Sequence, residues 1–345
     1  MDRVIANSRA TAALCHGIGI ASERVGIVHP GVDLPPDAIL VTNAGEAAGS
    51  VDSFPSCGSE PLPARSAEPL SPRGAEPLSP RGAEPLSPRG AEPLSPRGAE
   101  PLSPRGAEPL SPRGAEPLSR REKGRGEGAD PRNAAAAAFR QRHNLGNRPL
   151  LLSVGRLSAR KGLREFVTHA LPQIAAAHPD VLLLVVGDAP TQALHAQTQT
   201  PDSIRAAATA AGVAGNVTFL GKVSDAELDT AYRVASVHVF PVRAVPGDVE
   251  GFGMVAVEAA AHGLPTVAFA TGGVVDAVAE GQSGRLVPPD NYAAFAGAVL
   301  QALAEGKGLR MGCVAFARQF EWTRFGAQVS AQLHFARAER HAVVP

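Results

Sequence analysis

Two glutamates eight residues apart, Glu250 and Glu258, bracket a Gly-Phe-Gly turn in DVEGFGMVAVEAAAHGLP, residues 248 to 265. The residues after the turn are those of a buried helix. Gly251 and Gly253 let backbone N–H groups approach a ligand closely. Glu258 lies two turns further, roughly 12 Å along a helix axis at about 1.5 Å per residue. A carboxylate accepts two hydrogen bonds from a vicinal diol, as a ribose or a sugar ring offers. Two such grips at that separation suit opposite ends of an elongated ligand, with phosphates near the amides between them. The plain alternative is one surface glutamate and one helix former.

A second constellation lies in SVGRLSARKGL, where Gly155, Arg156, Lys161 and Gly162 fall between an apolar run and a helix. A helix N-terminus with nearby cations suits a diphosphate: arginine binds phosphate as a fork and lysine as a point charge. No Ser or Thr follows the lysine and the glycine spacing is wrong, so this is neither a Walker A loop nor GxGxxG. An exposed basic loop is the alternative. In TFLGKVSDAEL, the backbone of Lys222 and Val223 could meet a flat base edge-on, or form an ordinary turn before a helix cap. Asp188 in VVGDAP reads as a simple turn residue. Thr271, Gly272 and Gly273 make one more turn after a strand. His262 reads as a core or edge histidine rather than a catalytic one, and Trp322 in FEW as a packing anchor.

The elements that position these turns alternate. Apolar runs PLLLSV, VLLLVVG, NVTFLG, VHVF, TVAF and RLV read as strands. Between them lie helical stretches: LREFVTHALPQIAAAH, bent or broken at Pro172; SIRAAATAAG; SDAELDTAYRVA, with Ser224 and Glu227 at capping-box spacing; MVAVEAAAHG; and VVDAVAEG. Helices from Tyr292 onward close the chain. This alternation predicts an α/β fold, a Rossmann-like parallel sheet with helices on both faces, whose ligands bind at the carboxyl ends of the strands. At the other end of the chain, VIANS and RVGIVHPGVD read as strands around a helix over residues 9 to 17 capped by Ser8. That unit is too small to bury a core of its own.

Between these regions AEPLSPRG is repeated six times in tandem from Ala67 to Gly114. Two prolines in eight residues block helix and ladder pairing, and each copy is neutral. Residues 43 to 134 therefore read as a disordered, low-complexity insert with partly polyproline-like character. PLSP also resembles a proline-rich recognition site.

The 345 residues carry a formal net charge of zero, which gives no case for a nucleic-acid or membrane partner drawn by bulk charge. Aromatic content of 4% argues against stacking platforms for single strands. Three separated cysteines, Cys15, Cys57 and Cys313, give no disulfide framework and point to a reducing, cytoplasmic setting. The start of the sequence lacks the pattern of a secretory signal, and no apolar run is long enough to span a membrane.

Together, VGRLSARKGL, FLGKVSDAEL, EGFGMVAVEAAAHGLPTVAF, ATGGVVDAVAEGQSGRLVPPD and FEW resemble the GT-B nucleotide-sugar glycosyltransferases of family 4, over almost all of residues 148 to 337. The resemblance implies that Arg156 and Lys161 hold a donor diphosphate and that Glu250 contacts the donor sugar. It implies that Glu258 holds the ribose and that the backbone of Phe252, Gly253 and Met254 lies against sugar and phosphates. It also implies retention of the anomeric configuration, a UDP-, GDP- or ADP-sugar as donor, no metal or other cofactor, and a glycan or lipid acceptor. Peripheral membrane contact stays open. Residues 1 to 42 resemble only the last β-α-β of the family's acceptor domain, and residues 135 to 345 its donor domain with the closing helices. The expectation is a transferase truncated in its acceptor half. A nucleotide-sugar-binding remnant, one half of a split enzyme, and an interaction protein displaying the repeat stand as alternatives.

Overall fold

In the computed structural model of the chain, residues 3–36, 131–189 and 199–342 are described, with side chains to residue 336. The repeat array lies outside the described residues.

Six strands form one sheet: β3 (Leu150–Val154), β4 (Leu182–Val186), β5 (Val217–Gly221), β6 (Val237–Phe240), β7 (Thr266–Phe269) and β8 (Gly284–Val287). Their order is β5-β4-β3-β6-β7-β8 and every pair is parallel. The expected α/β architecture is therefore present. The apolar runs have no polar alternation because both faces are covered. Leu151, Leu183 and Val185 point to one face, beneath Phe166, Leu171, Ile174 and Phe295. Their neighbours Leu150, Leu152, Leu182 and Leu184 point to the other, with Ala231 and Tyr232. A third cluster joins Phe240, Val257, Ala260, Phe316 and Phe320.

The helices over the first face are α3 (Leu163–His169), α4 (Leu171–Ala177) and α9 (Tyr292–Glu305). The helical stretch expected to bend or break at Pro172 divides at Ala170, two residues before that proline. Proline has no N–H for the carbonyl of residue 168 and its ring would crowd it, so the first helix ends ahead of it. Pro172 then lies in the first turn of α4, where no N–H is needed. On the other face run α6 (Asp225–Val234), α7 (Met254–Ala261) and α10 (Arg310–Ala317). Ser224 caps α6 by accepting from Glu227 N. A further helix, α5 (Pro201–Ala210), packs on α3, and α11 (Trp322–Ala342) ends the described chain. The stretch VVDAVAEG forms only one turn of helix, α8 (Val274–Ala277). Ala279 N turns instead to Ser283 Oγ, and Glu280 bridges to Gly284.

Helix α2 (Pro131–Arg142) starts four residues ahead of the boundary at 135 set by composition. Proline suits a first helical position and the alanine run continues it. Ahead of the repeat, β1 (Val4–Ala6) and β2 (Val25–Ile27) pair in parallel around α1 (Arg9–Gly17), and Ser8 caps α1 by accepting from Thr11 N. This β-α-β unit belongs to the same compact unit as the six-stranded domain. Val32 N donates to Phe320 O, and Asp276 receives hydrogen bonds from both Arg9 N (2.6 Å) and the Arg9 guanidinium.

Candidate functional site

The strand order reverses between β3 and β6, the one adjacent pair whose following loops turn away from each other. A crevice at that switch point, above the carboxyl ends of the strands, is where such sheets bind ligands. The loop after β3 folds into a single tight turn at Ala159–Lys161, and Arg243 N donates to Arg160 O to tie it to the chain leaving β6. Gly162 follows at φ +66°, and a Cβ there would run into the Pro241 carbonyl oxygen. Only glycine lets the two loops close on each other here.

The turn delivers two cations to one carboxylate. Lys161 Nζ donates to Glu250 Oε2 at 2.7 Å, and Arg160 Nη1 donates to the same oxygen. Arg160 Nε donates to Asp248 Oδ1 at 2.8 Å. All four side chains are largely buried. Lys161 Nζ also sits 4.7 Å from the centre of the Phe240 ring. Burial holds the Lys161 ammonium below its ordinary range, against the pull of Glu250; the charges of Arg160 and Arg156 act in the same direction as burial. Arg156 is therefore within electrostatic reach of Lys161, but it is exposed and makes no contact with Glu250. Gly155 lies beside them, its missing Cβ 3.7 Å from Lys161 Cε.

Glu250 is presented by the irregular loop after β6, and its carbonyl accepts from Gly273 N at 2.8 Å. The turn at Thr271, Gly272 and Gly273 thus lies beneath the Glu-Gly-Phe-Gly backbone. Thr271 Oγ1 is buried there with no hydrogen-bond partner. Phe252 is buried in the core and stacks on His29 at 5.1 Å, so its ring points away from solvent while its backbone forms the loop. Gly253 and Met254 begin α7.

Glu258 occupies the second turn of α7 and meets neither cation. Tyr232 Oη on α6 donates to Glu258 Oε2 at 2.9 Å. Burial drives the Tyr232 hydroxyl well above its ordinary range, and the adjacent Glu258 charge adds to this, so the hydroxyl stays a donor. His262 stacks on Tyr232 at 5.0 Å and bridges the Glu258 carbonyl and Asp229 Oδ1, each at 2.8 Å. Burial pushes the Asp229 carboxyl up, but hydrogen bonds from Arg233 and His262 reverse this and hold it below its ordinary value. A cavity of about 300 Å³ opens between α6 and α7, with Asp33, Met254, Glu258, His262 and Trp322 on its walls. Trp322 is 52% exposed, its ring lying over Gly31, so it anchors less than a buried tryptophan would. Val223 packs against the core just after β5, and Lys222 is exposed.

Among the described residues, no cluster of three His, Cys, Asp or Glu side chains could hold a metal, and no helix is long and apolar enough to cross a membrane.

Residues 136–320, more than half of the chain, match the family described as glycosyl transferases group 1. The chain belongs to that family. Among curated relatives, this group 1 glycosyl transferase is 31% identical over 214 residues to a GDP-mannose-dependent alpha-(1-6)-phosphatidylinositol monomannoside mannosyltransferase of Mycolicibacterium smegmatis. That match takes in 60% of this chain and 53% of the relative. A D-inositol 3-phosphate glycosyltransferase of Segniliparus rotundus is 37% identical over 172 residues, 49% of this chain and 36% of that protein. The chain spans about half the length, or less, of these relatives. The crystal structure of Anabaena HepE with UDP-glucose superposes with a TM-score of 0.60 at 18% identity, covering 97% of this chain and 64% of that one. This likeness establishes the GT-B fold.

Several residues of this cluster and its surroundings were not singled out from sequence. Arg160 stands next to Lys161 in the ARK run and carries the same charge, yet only the tight turn aims it at Glu250. Asp248 reads as a turn residue. Tyr232 falls on the buried face of α6 and reads as core. Arg9, which meets Asp276, and His29, which stacks on Phe252, carry no local signal at all.

Proposed function

We propose that this chain carries the donor half of a nucleotide-sugar glycosyltransferase. In this reading Lys161 and Arg156 bind the diphosphate with Arg160 in support, and Glu250 meets the hydroxyls of the transferred sugar. The backbone of Phe252, Gly253 and Met254 lies along sugar and phosphates, Gly155 and Val223 border the nucleotide, and Glu258 takes the ribose diol. One observation carries it: two buried cations converge on a single carboxylate oxygen at the switch point of the sheet. A diphosphate entering the crevice would share those cations, and Glu250 would be freed to accept hydrogen bonds from the sugar.

As the bond to the anomeric carbon breaks, negative charge grows on the departing diphosphate. Lys161, Arg160 and Arg156 would stabilise it once the bound diphosphate shares them with Glu250. These cations do the work a divalent ion does elsewhere, so the proposal includes no metal. Transfer with retention follows from the family resemblance. The curated relatives act on inositol lipids and inositol phosphate, which supports a glycan or lipid-linked acceptor and makes GDP-mannose the first donor to test. We assign residues 1–42 to the end of an acceptor domain, 43–134 to an insert and 135–345 to the donor domain, in a cytoplasmic protein. Because the chain spans only about half of its relatives, a second reading is a donor-binding module that transfers only when another polypeptide completes it.

Calorimetric titration with GDP-mannose and UDP-glucose tests the binding. The wild type is expected to bind at least one, and Glu258→Ala and Lys161→Ala each to weaken it tenfold or more, as loss of a charged hydrogen bond implies. Unaltered affinity in both variants would sink the reading. Transfer of labelled mannose into a lipid extract separates the enzyme from the binding module.

A further inference from the structure

The segment before α1 reaches the sugar end of this site. Asn7 is exposed and fixed twice over. Its backbone carbonyl accepts from His29 Nδ1 at 3.1 Å, and His29 in turn stacks on Phe252. Its side-chain Oδ1 accepts from Thr11 Oγ1 at 2.6 Å. Thr11 is itself held, its N–H donating to Ser8 Oγ at 3.0 Å and its hydroxyl lying 3.4 Å from the Gly251 carbonyl. The amide of Asn7 therefore lies over Gly251, where an added Cβ would stand 3.2 Å from Nδ2. Gly251 is the residue after Glu250.

This arrangement sets the direction of the amide. Oδ1 faces the Thr11 hydroxyl, and the NH2 group faces the other way, nearest Gly251. It has no hydrogen-bond partner among the described residues. A rigidly held N–H donor beside Glu250 is what selective binding of a sugar oxygen requires, because its order is set before the ligand arrives. We infer that Asn7 is a donor-sugar ligand: its side-chain N–H donates to a hydroxyl of the sugar carried on the nucleotide. This rests on the donor reading above and adds to it a contact from outside the donor domain. It assigns Asn7 to sugar recognition and not to nucleotide recognition.

The test compares each nucleotide with its sugar-bearing form. GDP and GDP-mannose, and UDP and UDP-glucose, are titrated calorimetrically into the full chain, and the pair that binds is used. Asn7→Ala is expected to leave affinity for the bare nucleotide within about twofold. It should weaken the nucleotide-sugar about fivefold to tenfold, the size of one neutral hydrogen bond. Thr11→Val, which frees the amide to turn, should move the same ratio in the same direction by less. Equal weakening of both ligands would overturn the inference, since it would mean a structural role only. Titration curves identical to the wild type would overturn it too. If the wild type binds none of the four, the donor reading fails and this inference with it.

Discussion

His238 shows what a single residue on a central strand gives up by being buried. It faces Thr266 Oγ1 through Nδ1 at 3.1 Å, stacks on Phe240, and has no partner for Nε2. Burial, helped by the nearby charge of Lys161, lowers its pKa to about 3. The folded form then binds no proton until far below the ordinary histidine range, while the unfolded chain binds one near 6.5. Stability is full above that upper value and falls as the pH drops toward about 3, by about 1.4 kcal/mol per pH unit for this one group. Urea unfolding at pH 7, 6, 5 and 4 should therefore give a steeper acid limb for the wild type than for His238→Gln. Parallel limbs would show that His238 does not set it. The cations at Glu250 belong to the same scale. Arg160→Ala removes one of two donors to that carboxylate and leaves Asp248 without its own, so nucleotide-sugar affinity is expected to fall about tenfold in the same titration.

At the scale of elements, Gly162 is the position to test. Its left-handed backbone and its contact with the Pro241 carbonyl join the loop after β3 to the chain leaving β6. Gly162→Ala is expected to cost more than the ~1 kcal/mol of a simple left-handed alanine, because the loops must also part. A thermal midpoint lowered by several degrees together with lost ligand binding is the expected result, and a wild-type midpoint contradicts it. The strands, the caps at Ser8 and Ser224 and the parallel architecture were legible in sequence, since periodicity, turn chemistry and capping act within a few residues. Glu250, Glu258 and Lys161 were legible as residues of the right type at strand ends. Which cation meets which carboxylate was not. Arg156 and Arg160 differ by one tight turn, which the Arg243–Arg160 backbone bond ties to the chain leaving β6 and which places Arg160 inward. The break read at Pro172 falls two residues earlier, at Ala170, because a proline acts on the turn ahead of it.

For the whole molecule, the Arg9–Asp276 pair fastens the N-terminal β-α-β unit to the domain beyond the repeat. The Asp276 carboxylate is 2% exposed and Arg9 is 69% exposed, so solvent screens the arginine while the carboxylate depends on it. Asp276→Ala is expected to destabilise by about 1–3 kcal/mol, as the Arg9 backbone N–H loses its acceptor as well. It should also open residues 3–36 to limited proteolysis before the six-stranded domain is cut. Cleavage that starts in the domain instead would show that the unit is held by something else. Ile5, Leu14, Ile18 and Ile27 of this unit are exposed, which leaves its own packing little to hold it by.

The switch point between β3 and β6 also sets a timetable. Lys161 and Glu250 are 89 positions apart in the chain. At roughly 5–20 residues per second, a ribosome needs on the order of 4–18 s to reach the glutamate after it has made the lysine. For that interval the nascent chain carries the cations of the ARK turn with no carboxylate to receive them, and β3 waits for its neighbour β6. The cluster thus comes into existence only after β3 to β6 have all been made, with β7, β8 and the closing helices still to follow. A ribosome stalled between β5 and β6 would present strands and helices in abundance and only the cationic half of the Lys161–Glu250 cluster.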